Sequence, residues 1–262
     1  MTEDPLAPSQ GPAASSRAVG GEGVLHPSAV RPRRVVTDRR GGRSVPPYDS
    51  FNLGGHVGDD PAAVAANRER LAREIGAAGD RLVWMDQVHG RGVAVVDGPV
   101  DGPLPATDAV VTSTPGLVLC VLVADCVPIL LADSETGVVA AVHAGREGVR
   151  QGVVPAALSA MASLGARARH VSALLGPAVC GACYEVPAEM QADVARVAPS
   201  AAVPTRRGTP GLDLRAGVEE ILRRAGIPQV VHDPRCTGED PTLFSHRRDG
   251  VTGRQAGVVW LD

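Results

Sequence analysis

Short apolar runs closed by glycine, proline or acidic turns fill the middle of the chain. Residues 82–85, 93–96, 109–112, 117–123, 129–132 and 138–142 are dense in Val, Leu, Ile and Ala, and this pattern predicts buried strands. Asp133-Ser134-Glu135-Thr136-Gly137 separates the last two and predicts that they pair as a hairpin. Val35-Val36-Thr37 opens an earlier strand, and residues 171–175, 229–232 and 257–261 supply later ones. Helical spacing appears after Asp60-Pro61, an N-cap followed by an N1 proline. Val64, Leu71 and Ile75 form the apolar face there, with Arg68, Arg70 and Glu74 opposite. Residues 152–165, 187–197 and 214–225 predict further helices. Strands come in runs and do not alternate strictly with helices, so the pattern predicts an α+β fold over a doubly wound parallel sheet.

Composition narrows the function classes. The 262 residues suffice for a sizeable core. A net charge of −3 gives no electrostatic reason to bind nucleic acid or an anionic membrane. With 2% aromatic residues, stacking platforms for single strands are not expected. The apolar run at 116–124 is too short to cross a bilayer and stops at Asp125. Residues 1–30 are rich in Pro, Gly, Ser and Ala, lack periodicity and are expected to be a disordered tail, leaving 31–262 as the catalytic domain. Arg31-Pro32-Arg33-Arg34 reads as a solvated basic lead-in to that domain. The start of the chain lacks the pattern of a signal peptide, and five cysteines is an odd number. A reducing cytoplasmic setting is therefore expected, with thiols used for packing, metal or catalysis.

Three metal-capable side chains stand where apolar runs end: His89 before Gly90, Cys126 before Pro128, and His143 before Ala144-Gly145. Cys126 and His143 lie at nearly equal distances from the hairpin turn, so they can meet across strands about 5 Å apart. Two imidazoles and one thiolate are good zinc ligands, and a set of three leaves a position for water or substrate. Without a metal, Cys126 and His143 would form a nucleophile–base dyad with Asp125 orienting either partner. Cys180-Gly181-Ala182-Cys183 has CxxC spacing. A structural zinc there requires a second pair, for which only Cys120 and Cys236 remain, and the spacing is assigned to packing. The basic loop Asp38–Ser44, with Arg39, and the run His246-Arg247-Arg248-Asp249 could each hold an anion; a solvated turn and a salt-bridged surface loop are the plainer readings. Asp108 reads as a turn or cap residue.

Taken in order, Asn52-Leu53-Gly54, Gln87-Val88-His89-Gly90, Thr107-Asp108-Ala109, Ala124-Asp125-Cys126-Val127-Pro128, Val142-His143-Ala144-Gly145, Gly176-Pro177, Cys183-Tyr184-Glu185-Val186, Cys236-Thr237 and Phe244-Ser245-His246-Arg247-Arg248-Asp249 resemble the YfiH family, also called the laccase-domain or multicopper polyphenol oxidase family. The resemblance spans residues 35–262. It implies a single α+β domain with a mixed β-sandwich flanked by helices, related to cysteine hydrolases. It also implies a zinc site of His89, Cys126 and His143, with copper as the alternative metal. By this resemblance the chain is a purine nucleoside phosphorylase that also deaminates adenosine and cleaves methylthioadenosine. Its partners are then a purine nucleoside and phosphate, and a monomer is expected. Cys126, His143 and Asp125 take the catalytic roles; Arg39, Asn52 and Arg248 take the substrate and phosphate roles.

The family also carries other assignments: copper polyphenol oxidation, and Cys–His hydrolysis of wrongly built peptidoglycan precursors. Type-1 copper sites do use two His and one Cys, but multicopper chemistry needs many more His than the seven present. One departure bears on activity. The family commonly has His-Ala-Gly-Trp-Arg-Gly, where this chain has His143-Ala144-Gly145-Arg146-Glu147-Gly148. A negative charge thus stands where a phosphate-binding Arg would help, and a lapsed enzyme acting as a binding module is a further alternative.

Overall fold

In the computed structural model, which describes residues 31–262, the central strands are buried along their whole length because each face meets a different layer. In chain order the first elements are β1 (Pro32–Val36), α1 (Pro61–Ile75), β2 (Leu82–Val83), β3 (Val93–Val95), β4 (Ala109–Thr112), β5 (Val118–Val123), β6 (Val127–Asp133) and β7 (Val138–Ala144). Then follow α2 (Arg146–Gln151), α3 (Val153–Ser163), β8 (Val171–Leu175), α4 (Ala188–Ala195), β9 (Ala202–Pro204), β10 (Pro210–Leu212), α5 (Leu214–Arg224), β11 (Gln229–His232), α6 (His246–Asp249) and β12 (Gln255–Leu261). One sheet has the order β1-β12-β5-β2 and the other β11-β8-β6-β7-β4-β3, with β9 and β10 as a separate small hairpin. The β2–β5, β3–β4 and β11–β8 pairs are parallel and the others antiparallel, so both large sheets are mixed.

Side-chain alternation along each strand sorts the apolar residues into three cores. On β5, Leu119, Val121 and Val123 meet Leu130 of β6 and Val139 and Ala141 of β7 between the sheets. On the opposite face of β5, Val118, Cys120 and Leu122 pack with Leu71 and Ala72 of α1, and with Trp84, Val258 and Trp260. The outer face of the larger sheet, with Ile129, Leu131, Ala140 and Val142, packs on Val153, Val154, Ala157 and Met161 of α3 and on Val218 and Leu222 of α5. The expected sandwich flanked by helices is present, and the fold is mixed α+β.

The differences from the sequence reading have local causes. The basic stretch at residues 31–34 is largely part of β1 and not a solvated lead-in: Pro32 pairs with Leu261 and Arg34 with Val259. Pro32 is tolerated because β1 is an edge strand. Arg34 donates to the Ser172 carbonyl and hydroxyl, both at 2.8 Å, and burial lowers its pKa to about 10. The predicted helix at 152–165 is preceded by an unpredicted short one, α2, because Gly152 in the left-handed region (φ 89°) separates them. The three-residue strands β9 and β10 are too short to show periodicity. The run His246–Asp249, read as a surface loop, is a single helical turn capped by the Ser245 side chain. No helix among the described residues is long and apolar enough to cross a membrane.

Leu130 is fully buried in the layer between the sheets. Leu130→Ala is expected to cost about 2–5 kcal/mol of stability through lost transfer energy and a residual cavity. Urea unfolding followed by circular dichroism measures it.

Candidate active site

The β6–β7 ladder sets the site. Its register pairs Val127 with Ala144 and Pro128 with His143, so Cys126, just ahead of β6, arrives beside the end of β7. His143 shares the alternation of Val139 and Ala141 and is buried at the open end of the layer between the sheets. His89 comes from the loop between β2 and β3, with a left-handed backbone at φ 58°. That loop is fastened by Gln87, whose amide donates to the Leu122 carbonyl and accepts from the Leu122 N–H, both at 2.8 Å. The ligand atoms of His89, Cys126 and His143 all lie within 4.8 Å of one another. The two imidazoles meet edge to face, their centroids 4.7 Å apart.

Asp108 organises this trio, and its reading as a turn residue is corrected. It is fully buried. Its Oδ1 accepts from His143 Nδ1 at 2.8 Å and from the His89 N–H at 3.0 Å. Its Oδ2 accepts from the Gly90 N–H at 2.7 Å and the Val88 N–H at 3.3 Å. A carboxylate can only accept, so the proton sits on Nδ1 of His143 and Nε2 is left for the trio. Burial opposes the charge on Asp108, but these donors outweigh it and hold the carboxyl below its usual range. One carboxylate thereby orients one ligand ring and anchors the loop that carries the other.

Gly145 explains why the trio can close. A Cβ there would stand 2.9 Å from Cδ2 of His89 and 3.1 Å from Sγ of Cys126. Its backbone lies at φ −78° and ψ 168°, a conformation open to any residue, so the requirement for glycine is the space beside the ligands. Burial raises the Cys126 thiol, but the charge of His143 and hydrogen bonds from His143 and His89 prevail and bring it down to about 6. Burial disfavours the His143 cation, yet the Cys126 thiolate and Asp108 raise its pKa above the ordinary imidazole value. A thiolate and two oriented imidazoles are the donor set that a borderline-soft cation takes.

The trio lies in the wall of a cavity of about 470 Å³, inside the roughly 300–1,000 Å³ range of small-molecule sites. Leu122, Val123, Val179, Tyr184 and Leu214 give it an apolar wall, while Arg146, Arg247, Arg254, His56 and His246 bring cations and imidazoles. The Arg247 guanidinium lies 5.0 Å from the Tyr184 ring centroid. Burial lowers the pKa of Arg254, opposed by the attraction of Cys126 and Asp125. His56 is held below its ordinary pKa, first by burial and then by Arg254.

The remaining expected residues sit elsewhere or act indirectly. Asp125 lines the cavity but spends its carboxylate on the Thr237 hydroxyl (2.5 Å), the Ser245 hydroxyl (2.7 Å) and the Arg247 N–H (2.7 Å). Its own backbone is left-handed, at φ 92°. Arg39, Asn52 and Arg248 do not line the cavity. Arg39 is committed to the Asp49 carbonyl and pairs with Asp49 and Asp249. Arg248 donates to the carbonyls of Thr237, Asp240 and Leu243. Buried Asn52 accepts from the Arg254 N–H at 2.9 Å. Glu147 is drawn to Arg150 and Gln151, which hold its carboxyl down to about 2. Of the run read as a possible anion holder, His246 and Arg247 line the cavity and Arg248 does not; His56 escaped the sequence reading because ligand spacing does not single it out.

Comparison with known proteins gives the family. The family model described as multi-copper polyphenol oxidoreductase laccase matches residues 33–262. A Mycobacterium tuberculosis protein named as a purine nucleoside phosphorylase is 58% identical over 89% of this chain and 94% of its own length. A Shigella flexneri protein, named as the purine nucleoside phosphorylase YfiH, is 40% identical over 85% and 91%. Among solved structures, a Bacillus licheniformis hypothetical protein YfiH superposes with a TM-score of 0.83 at 29% identity, covering 88% of this chain and 93% of that one. YlmD from Geobacillus stearothermophilus gives 0.83 at 30% identity, over 87% and 91%. The chain belongs to the YfiH, or laccase-domain, family.

Gly145→Ala is expected to keep the far-ultraviolet circular dichroism of the parent while lowering metal affinity by about 10–100-fold, the scale of losses around ligand shells; a competitive chelator titration reads it. Metal-free protein is expected to be alkylated at Cys126 with a midpoint near pH 6, because the thiolate persists above that value. Asp108→Asn removes support from the His143 cation, so it is expected to move this midpoint upward. Peptide mass spectrometry after iodoacetamide pulses across pH gives the profile.

Proposed function

We propose that this chain is a zinc-dependent purine nucleoside phosphorylase acting on adenosine, inosine and methylthioadenosine, with adenosine deamination as a companion activity. The observation that carries the reading is the trio of His89, Cys126 and His143 in the wall of a cavity that also holds three guanidinium groups. Family membership and relatives named as purine nucleoside phosphorylases support it. Zinc bound by the trio would supply Lewis-acid polarisation at an open fourth position. Arg146, Arg247 and Arg254 hold phosphate by charge-assisted hydrogen bonds. The apolar wall with Tyr184 receives the purine. In phosphorolysis a phosphate oxygen bonds to the anomeric carbon, the glycosidic C–N bond breaks, and the purine leaves with the electron pair and takes up a proton. His56 and His246 are the imidazoles placed in the cavity wall to manage that proton.

The other expected residues take supporting roles in this reading. Asp125 positions Arg247 through its backbone N–H. Asn52 positions Arg254 in the same way. Arg248 fixes the Thr237 segment, and Arg39 steadies Asp249, which pairs with Arg248. Glu147 is engaged by Arg150, so its charge competes less with phosphate than its position in the sequence implies. The reading places a monomer in the cytoplasm, where its cysteines stay reduced.

One observation favours a second reading: Cys126, His143 and Asp108 form a chain of nucleophile, base and orienting carboxylate. A metal-free hydrolase of that kind would be blocked by alkylation and indifferent to chelators. Copper polyphenol oxidation has less support. Among the described residues His89, Cys126 and His143 are the one metal-capable group that contains histidine, and multicopper chemistry needs several.

The deciding experiment is metal analysis of purified protein alongside a chromatographic screen of nucleosides with and without phosphate. Phosphate-dependent release of free base is expected. Cys126→Ala is expected to lose the trio's zinc and more than about 100-fold of turnover. Full adenosine turnover by that variant would sink the proposal.

A further inference from the structure

A second cluster of ligating atoms lies outside this cavity. The sequence offers Cys180-x-x-Cys183 only half of a zinc site, and Cys120 cannot complete it. Cys120 is buried in β5 on the face toward α1, its thiol directed at the Val118 carbonyl. The chain supplies the missing half as Cys236-Thr237-Gly238-Glu239, which has the same i, i+3 spacing.

Both segments are tight turns. The Cys183 and Tyr184 N–H groups donate to the Cys180 carbonyl at 3.0 Å. The Glu239 and Asp240 N–H groups donate to the Cys236 carbonyl at 3.1 and 2.8 Å. A parallel bridge between Ala178 and Cys236 sets the turns side by side. The Cys180 N–H points at Sγ of Cys236 from 3.3 Å. Sγ of Cys183 lies 3.5 Å from Oε1 of Glu239. Gly181 lets the first turn tuck in, since a Cβ there would stand 2.4 Å from Val203.

We propose that Cys180, Cys183, Cys236 and Glu239 form a second metal site, structural in kind, for a thiophilic divalent cation of the zinc class. The four ligand atoms already lie within 4.8 Å of one another. Tetrahedral zinc with Zn–S bonds of about 2.3 Å separates its ligands by about 3.8 Å, so closure needs small side-chain movements. Glu239 must give up its pairing with Arg206. Three sulfurs and one carboxylate fill a tetrahedron and leave no position for substrate, the mark of a structural site. Cys236 is buried, Cys180 and Cys183 are half-buried and Glu239 is exposed, so the ion enters from the Glu239 side. The site would tie together two segments of the active-site wall. Val179 and Tyr184, which flank the first turn, line the cavity. Thr237, in the second, donates to Asp125.

The test counts metal in Cys126→Ala, which removes a ligand of the other cluster and leaves this one whole. Elemental analysis and native mass spectrometry of that variant, purified with zinc under reducing conditions, are expected to find about one zinc per chain. Adding Cys183→Ser is expected to remove it. Cobalt in place of zinc is expected to give thiolate-to-metal absorption in Cys126→Ala that disappears when Cys183→Ser is added. Metal-free Cys126→Ala, zinc retained after Cys183→Ser is added, or a mass lower by two hydrogens from a disulfide within the cluster would each overturn the proposal. Failure of the nucleoside reading would alter turnover and the metal held by the trio, and would leave this count unchanged.

Discussion

The register between β6 and β7 is the constraint on which the rest depends. It places Leu130, Val139 and Ala141 toward the smaller sheet and Ile129, Leu131, Ala140 and Val142 toward the helices. A slip of one residue would exchange the two sets. The same slip would carry His143 to the wrong face and away from Cys126. Core and site are thus specified by one ladder, and the apolar interior protects the geometry of the ligands at its end.

Two carboxylates, one buried and one half-buried, then do what apolar packing cannot. Asp108 couples the end of β7 to the His89 loop, and Asp125 couples the Cys126 turn to the segments holding Thr237, Ser245 and Arg247. Each accepts several hydrogen bonds, so each is well partnered where it sits. His89 and Asp125 also hold left-handed backbones, a strain found where surrounding contacts over-determine a functional loop. The site is rigid because three separate loops are each fastened to a strand or a carboxylate.

The long central strands and the helix after Asp60 were legible in the sequence because their periodicity and turn residues are strong. Cys126 and His143 were legible as a pair because a hairpin turns spacing into proximity. His89 required the ordered family motifs, since nothing local ties it to β7. Asp108 was misread because a Thr-Asp pair before a strand looks the same whether its carboxylate caps a turn or holds a histidine. Arg39 and Arg248 were plausible anion holders by composition, but their guanidinium groups are occupied by carbonyls and carboxylates that only tertiary structure brings near. The cluster with Cys236 was missed for a related reason: its fourth member is a glutamate, invisible to a search for paired cysteines.

Gly145 carries a consequence for how the family can vary. The chain passes so close behind His89 and Cys126 that no side chain fits between it and the trio at this point. Arg146 and Tyr184 share the cavity wall with the trio. The shape and charge of that wall can change without a change in the trio itself. Substitutions just beyond Gly145, at Arg146 and Glu147, can retune what the cavity admits while the trio stays fixed.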